Sequence, residues 1–509
     1  MRIGYRNIIA AAVLIFISIY FHLSANNIAD PDGFYHIAHA KIYRDQGLLS
    51  ADFPWVQYSA INQLKADIWY GFHVFLIPFT YFNDLTIGIK FAGIFLTSLV
   101  LILFFLIIKK LQVQYPLFWT ILLFFSVPDV HWRFLMVRPH ILTFILGLFL
   151  LYYLAKNNRW GILFSALAIS FFHLALFWIV FLIVGAVLIS QTIIKSKIKF
   201  IPIVYAVVGA IMGWLARPNP IGAIKLAYIQ VVQLMVEKLN GIPFQFGSEL
   251  KPGSHWSVLI TEFLPIAILL ILAIWAWLKN KHTLKSESIL LWSSLILAMI
   301  FGGIFVFIAR RSIDLFVGFG LIFAALSWSL FGSKIRHSNI LLTVFFAVLA
   351  ANTLYFANIY KKQAISSNTF KESSLWLKEN SKSGDIVFNV HWDNFPMLFF
   401  WNQKNYYING MDPIFEYAFD KQLYWKHYYL DIDGLAIKNN IGYTCSNIRS
   451  ECSDNNMVEV YDALKNNFKA KYIFVEPSRN PKLNRYLEFD KRFKNVFSNQ
   501  SKESIFEVL

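Results

Sequence analysis

Long apolar runs separated by short polar loops dominate the first 360 residues. A membrane-crossing helix needs about 20 apolar residues, and somewhat fewer where flanking cations reach back to the headgroups. The pattern predicts eleven such spans: Ile8–Leu23, Leu85–Ile108, Leu111–Val127, Pro139–Ala155, a tight hairpin of two within Trp160–Ile194 turning near His173, Phe200–Leu215, Ser257–Leu278, Ile289–Ile308, Ile313–Phe331 and Ile340–Tyr360. The run Trp69–Phe82 is apolar but short, contains Pro78 and is flanked by aromatics, which predicts an interfacial or re-entrant helix. Counting it as a span would put Lys109 and Lys110 outside and reverse every later loop against the positive-inside pattern. After residue 360 the pattern changes. Short strand-like runs (Asp385–Val390, Tyr472–Val475, Ser504–Leu509) alternate with helical ones (Thr369–Asn380, Val458–Lys469), predicting a small α/β domain large enough to fold by itself.

The organisation expected is therefore a multi-span α-helical membrane domain over residues 1–360, with a catalytic outer loop at 24–82, followed by an extramembrane α/β domain over 361–509. Composition agrees: 57% of the 509 residues are hydrophobic and 18% aromatic, and the mean hydropathy is +0.51, too apolar for a soluble globular chain. Charge fixes the orientation. The formal net charge is +16, but residues 361–509 hold 20 basic and 18 acidic residues, so the surplus lies in the membrane half. With the spans above, fourteen basic groups fall on inner loops against one acid, Glu287. This implies a cytoplasmic N-terminus in an inner (plasma) membrane and a periplasmic or extracellular C-terminal domain. A basic surplus confined to membrane loops suits anionic lipid, not nucleic acid. The opening M-R-I-G-Y-R and Ile8–Leu23 lack a small-residue cleavage site before Asn26, so a retained first span is expected. The two cysteines, Cys445 and Cys452, could form a disulfide in an exported domain or stay as two thiols; their spacing suits no zinc knuckle.

The candidate chemistry clusters at outer span ends. Ala29–Ala40 reads A-D-P-D-G-F-Y-H-I-A-H-A and holds Asp30, Asp32, Tyr35, His36 and His39 directly after the first span. One of the aspartates can serve as general base for attack at a sugar carbon; equally, Asp30-Pro31 can form a turn and Asp32 can cap a helix over Gly33–Gln46. The second outer loop, 128–140, carries Asp129, His131, Arg133, Arg138 and His140. Arginine there breaks the positive-inside preference, and its fork matches phosphate, although Arg138 could also reach headgroups or pair with Asp129. Arg310 and Arg311 end an otherwise uncharged span, with Asp314 one helical turn beyond Arg311 as a local partner. Glu262, one turn into a span, must be paired or line a cavity. His173 reads as a structural polar contact, Arg217 and His255 as possible edges of a groove, and 391–396 and 409–413 as loops. No G-x-G-x-x-G or Walker sequence is present, which argues against a soluble nucleotide donor.

This layout, and the D-G-F-Y-H stretch at 32–36 above all, resembles the GT-C superfamily of membrane glycosyltransferases, which use polyprenyl-phosphate or polyprenyl-diphosphate sugars. The Asp-plus-aromatic start of the first outer loop is similar to that of oligosaccharyltransferase catalytic subunits. The layout from Trp69 to Ala155 is similar to protein O-mannosyltransferases and aminoarabinose transferases. The resemblance implies transfer with inversion, on the outer face, from a polyprenyl-linked donor to a glycan, lipid or protein acceptor. It implies Asp32 as the catalytic first-loop acid, Asp129 as the second-loop acid, and Arg310 or Arg311 at the lipid phosphate. The residues themselves add Asp30 beside Asp32, Arg138 and His140 at the phosphate, and Tyr35 and His36 elsewhere at the substrate. A divalent cation, magnesium or manganese, would be possible. There is no W-W-D-x-G sequence and no tandem proline in the first loop, so the acceptor does not carry over. Two rival readings stay open: a non-catalytic flippase for lipid-linked sugars, and a ligase- or polymerase-like enzyme that needs outer Arg and His but not Asp32.

Overall fold

A computed structural model describes residues 5–24, 27–50, 52–279, 288–331, 338–447, 454–500 and 502–509. The inner-loop charges Arg2, Lys281, Lys285, Glu287, Lys334 and Arg336, the pair Ala25 and Asn26, and Cys452 lie outside them. The chain forms two compact units. One comprises the chain up to Asp30, Trp69–Arg217 and Phe246–Ile365; the other comprises Pro31–Ile68, Pro218–Gln245 and Ser366–Leu509.

The first unit is helical. Seven described helices are long and apolar enough to cross a membrane: Tyr5–Leu23, Leu85–Lys110, Leu174–Ile193, Trp256–Leu278, Ile289–Phe307, Arg310–Leu330 and Asn339–Gln363. The protein is thus a multi-span helical membrane protein. Other apolar runs form shorter helices, Pro116–Phe124, His140–Lys156, Arg159–Phe172 and Phe200–Leu215. Pro116 opens the first of these behind Tyr115, whose φ of 56° stops the helix from extending backwards. The helix Arg159–Phe172 ends at His173, near where the turn was expected, and His173 Nδ1 lies 3.2 Å from Thr143 Oγ1. Trp69–Phe82 forms not one helix but two pieces, Tyr70–Leu76 and a 3-10 turn Ile77–Tyr81 containing Pro78. Asp84 caps Leu85–Lys110 by accepting from the Thr86 N–H at 2.8 Å. Outward faces such as Phe95, Ile271, Met299 and Val348 stay exposed and apolar, as helices solvated by lipid require. Inside, small residues set the approach. A Cβ on Gly209 or Gly213 would collide with the carbonyls of Leu163 and Leu167, so Phe200–Leu215 packs backbone to backbone on Arg159–Phe172. Arg217 locks that pair, donating to the carbonyls of Ser170, Phe171, Gly213 and Trp214. The side chain thus caps two helix ends.

The second unit is α/β. Its strands are β1 (Ile386–Asn389), β2 (Tyr406–Tyr407), β3 (Ala436–Lys438), β4 (Ile441–Cys445), β5 (Met457–Glu459), β6 (Tyr472–Val475), β7 (Phe493–Asn499) and β8 (Glu503–Val508). Five form a sheet in the order β2-β1-β6-β8-β7, parallel across β2, β1 and β6 and antiparallel beyond; β3-β4-β5 form a small antiparallel sheet. Phe388, Val390, Ile473, Val475 and Phe506 build the core with Leu464 and Phe468. Cys445 is buried on β4, and among the described residues no cysteine is a free thiol. The first-loop segment belongs to this unit: Trp55–Tyr58 runs beside β2, exchanging backbone bonds with Tyr407 and Ile408.

His427 pins the helix Lys421–Asp431 to the sheet. Its Nδ1 lies 2.7 Å from Glu416 Oε2 and its Nε2 2.8 Å from the Val390 carbonyl. Burial works against the charged ring, but the Glu416 carboxylate outweighs it and raises His427 to about 9. A raised histidine stabilises fully below its unfolded value, ~6.5, and loses that contribution as pH rises through about 9. The melting temperature of the α/β unit in the whole protein is therefore expected to fall between those values. In His427→Ala that slope should vanish; an unchanged slope would show that another group sets it.

Candidate functional site

The charged residues of the first unit gather into two linked clusters. Asp30 follows the C-terminal end of the first helix, Tyr5–Leu23. Arg133 is carried by the short helix Pro128–Phe134, Arg138 by the segment after it, Glu249 by the 3-10 turn Ser248–Leu250, and Asp314 by the first turn of Ile313–Phe331. Arg138 Nε and Nη2 grip both oxygens of Asp30 at 2.6 and 2.5 Å, a bidentate fork. Its Nη1 donates to Glu249 Oε1 at 2.8 Å. Arg133 Nη1 takes the other oxygen of Glu249 at 2.9 Å, and its Nε donates to Asp314 Oδ2 at 2.8 Å. His140, at the start of His140–Lys156, lies 3.8 Å from the same Asp314 oxygen.

This is a continuous chain, Asp30–Arg138–Glu249–Arg133–Asp314, with Asp30 only 3% exposed. Buried charges must be paired, and here each is. Burial raises the Asp30 carboxyl, opposed by Arg138. Burial also pushes Glu249 up, but Arg138, Arg133 and Arg311 outweigh it and hold the group at about 2.

The second cluster centres on Asp129, in the first turn of Pro128–Phe134. Its Oδ2 accepts from Arg310 Nη2 at 2.7 Å and its Oδ1 from the Tyr360 hydroxyl at 3.0 Å. Its backbone N–H donates to Glu262 Oε2 at 3.0 Å, so the intramembrane glutamate is accounted for by pairing. Arg310 leads the helix Ile313–Phe331 through a 3-10 turn and is anchored by its own N–H to the Lys251 carbonyl at 3.0 Å. Its Nε is buried with no hydrogen-bond partner.

The remaining candidates lie in the second unit. The helix there begins at Asp32, with Pro31 in the capping position, so Asp32 is the first helical residue and not the cap expected from sequence. Its charge still faces the positive helix end. Tyr35 and His36 are buried on this helix. Tyr35 packs against Phe53, Phe395 and Phe399, and its hydroxyl lies 3.0 Å from His39 Nδ1. His39 and Tyr43 in turn approach Asp67, at 3.9 and 3.0 Å.

The first unit thus unites Asp30, Asp129, Arg138, His140 and Arg310, while Asp32, Tyr35 and His36 belong to the other. Glu249 and Tyr360 were not singled out from sequence. The signal for Glu249 was an acid in the Gly247–Lys251 stretch between two apolar runs, where buried arginines can find counter-charge. A divalent cation does not fit at Asp30 or Asp129: both oxygens of each already accept from protein donors, and a cation there would sit against a guanidinium. Arg138 is likewise committed to carboxylates, whereas Arg310 keeps an unmatched donor. Compared with models of known protein families and with curated proteins, the chain matches none.

Proposed function

We propose that the protein is a membrane glycosyltransferase that moves a sugar from a polyprenyl-phosphate or polyprenyl-diphosphate donor to an acceptor on the outer face. In this reading the shorter apolar helices complete eleven spans, the N-terminus is cytoplasmic, and the α/β unit stands outside an inner (plasma) membrane. The observation that carries the reading is Arg310: a guanidinium at a helix tip, held on one side by Asp129, with a buried N–H that has no acceptor. An orphaned donor on a fixed cation suits a phosphate oxygen, which supplies charge and lone pairs together.

Arg310 then stabilises the negative charge that grows on the leaving phosphate, and Asp129 with Tyr360 holds it at the required angle. Asp32 is the proposed general base for the acceptor hydroxyl, the role that the resemblance gives the first-loop acid. Asp30, closed by Arg138, acts as an anchor for the charged network and not as the base.

The test is transfer by the purified protein in liposomes, with labelled polyprenyl-phosphate and polyprenyl-diphosphate sugars and an envelope extract as acceptor. Release of the free lipid phosphate together with labelled acceptor is expected. Donor crossing the bilayer with no release would replace this reading by the flippase.

A further inference from the structure

We propose a second, separate site: a carbohydrate-binding crevice at the carboxyl ends of β1 and β6 in the α/β unit. It rests on none of the membrane chemistry above, since binding there is read without transfer.

Topology points to the place. From β1 the chain moves to β2 on one side, then returns past β1 to β6 on the other, all three parallel. Neighbouring connections that diverge in this way leave a crevice beyond the strand ends, where open α/β sheets bind ligands.

Three buried polar atoms without partners lie on the two loops that leave those ends. After β1, His391 Nδ1 is bonded to the Asp431 carboxylate, while its Nε2 is buried and unmatched. In the neutral ring that bond puts the proton on Nδ1 and a lone pair on Nε2. On the same loop Asn394 Oδ1 accepts from Arg479 at 3.4 Å, and its Nδ2 has no acceptor. After β6, Asn480 Nδ2 donates to the carbonyls of Leu430 and Asp431 at 3.0 and 2.9 Å, leaving Oδ1 unmatched. Neither amide can be flipped without breaking these bonds. Asp431 ties His391 to Asn480, and Arg479 ties Asn394 to its own chain neighbour Asn480, so the three belong to one network.

The unmatched set is mixed: two acceptors and one donor. An anion offers no hydrogen to Nε2 or Oδ1. Among the described residues no metal-binding trio gathers here. A hydroxyl both donates and accepts, so adjacent hydroxyls of a sugar ring answer all three atoms. Half-buried aromatic rings lie beside the loop: Trp392 donates its indole N–H to the Gln245 carbonyl at 2.8 Å, and Tyr428 bonds the Gln245 side chain. Unmatched polar atoms on two neighbouring loops beside aromatic faces suit the polar edge and C–H face of a pyranose.

The experiment uses the whole protein in lipid nanodiscs, free of sugar-headed detergent. Saturation-transfer NMR is run with methyl glycosides of glucose, galactose, mannose, xylose and N-acetylglucosamine, with glycerol as control. At least one glycoside is expected to bind, and His391→Phe and Asn394→Leu to weaken it about tenfold each. Trp392→Ala, at a half-buried position, guards against a folding defect and should also weaken binding while the melting temperature holds. Equal binding by the variants, or no binding of any glycoside by the native protein, overturns the proposal; the second result means that ordered water alone fills the crevice.

Discussion

Arg310→Ala is expected to lower sugar transfer by ~100- to 1000-fold, the usual loss when one fixed donor to a developing anion is removed. The side chain is fixed before any substrate arrives: its backbone N–H holds the Lys251 carbonyl and Nη2 holds Asp129. The Nε donor, which has no partner, is left to meet the leaving phosphate. Because charge on that phosphate grows as the glycosidic bond breaks, the loss should fall on kcat more than on KM. Arg310→Lys keeps the charge but not the fork, so intermediate activity is expected. Asp32→Asn in the same assay should cost ~100- to 10,000-fold, the range for a lost general base. Full activity in Arg310→Ala would remove the glycosyltransferase reading. Inactive Arg310→Ala beside fully active Asp32→Asn would instead favour the ligase- or polymerase-like enzyme. Insertion and melting temperature, measured in each variant, separate chemistry from folding.

The helical membrane class was legible because apolar periodicity is a property of contiguous residues. Phe200–Leu215 and the turn at His173 were readable to the residue for the same reason, as was β6, a continuous run of four apolar residues. The partners within the charge network were not. The spacing rule offers Asp314 to Arg311, one turn away, yet Arg133 reaches Asp314 across 181 positions of sequence. Arg138 was offered Asp129 but holds Asp30 and Glu249. A cation buried among helices takes whichever carboxylate packing delivers, and local spacing carries no record of that. The helix starting at Asp32 was legible in extent but not in environment. Its sequence is polar on average, yet Gly33 to Ala40 are all buried, because aromatic side chains from distant segments close around it. The His391 crevice shows the same limit: the H-W-D-N-F-P loop could be read as a loop, but its unmatched atoms exist only once β6 brings Asn480 alongside.

The largest effect on stability is expected from Arg133→Leu, about 3–5 kcal/mol, as for removing one partner of a buried ion pair. Arg133 is only 8% exposed and serves two carboxylates. Glu249 would keep Arg138 and is itself partly open, at 31%. Asp314 would not fare so well. It is 5% exposed, its Oδ1 already lacks a partner, and losing Arg133 would strand its Oδ2 next to His140, 3.8 Å away. The cost is thus the desolvation of one carboxylate, not the strength of the lost bond. That distinction is measurable. Arg133→Leu combined with Asp314→Leu removes the stranded charge and replaces the pair with apolar volume, so the double variant should regain most of the stability. Unfolding followed by tryptophan fluorescence in one detergent across wild type, both single variants and the double variant gives the coupling directly. Additive losses would mean that the two side chains contribute separately, and that the chain from Asp30 to Asp314 does not act as one unit.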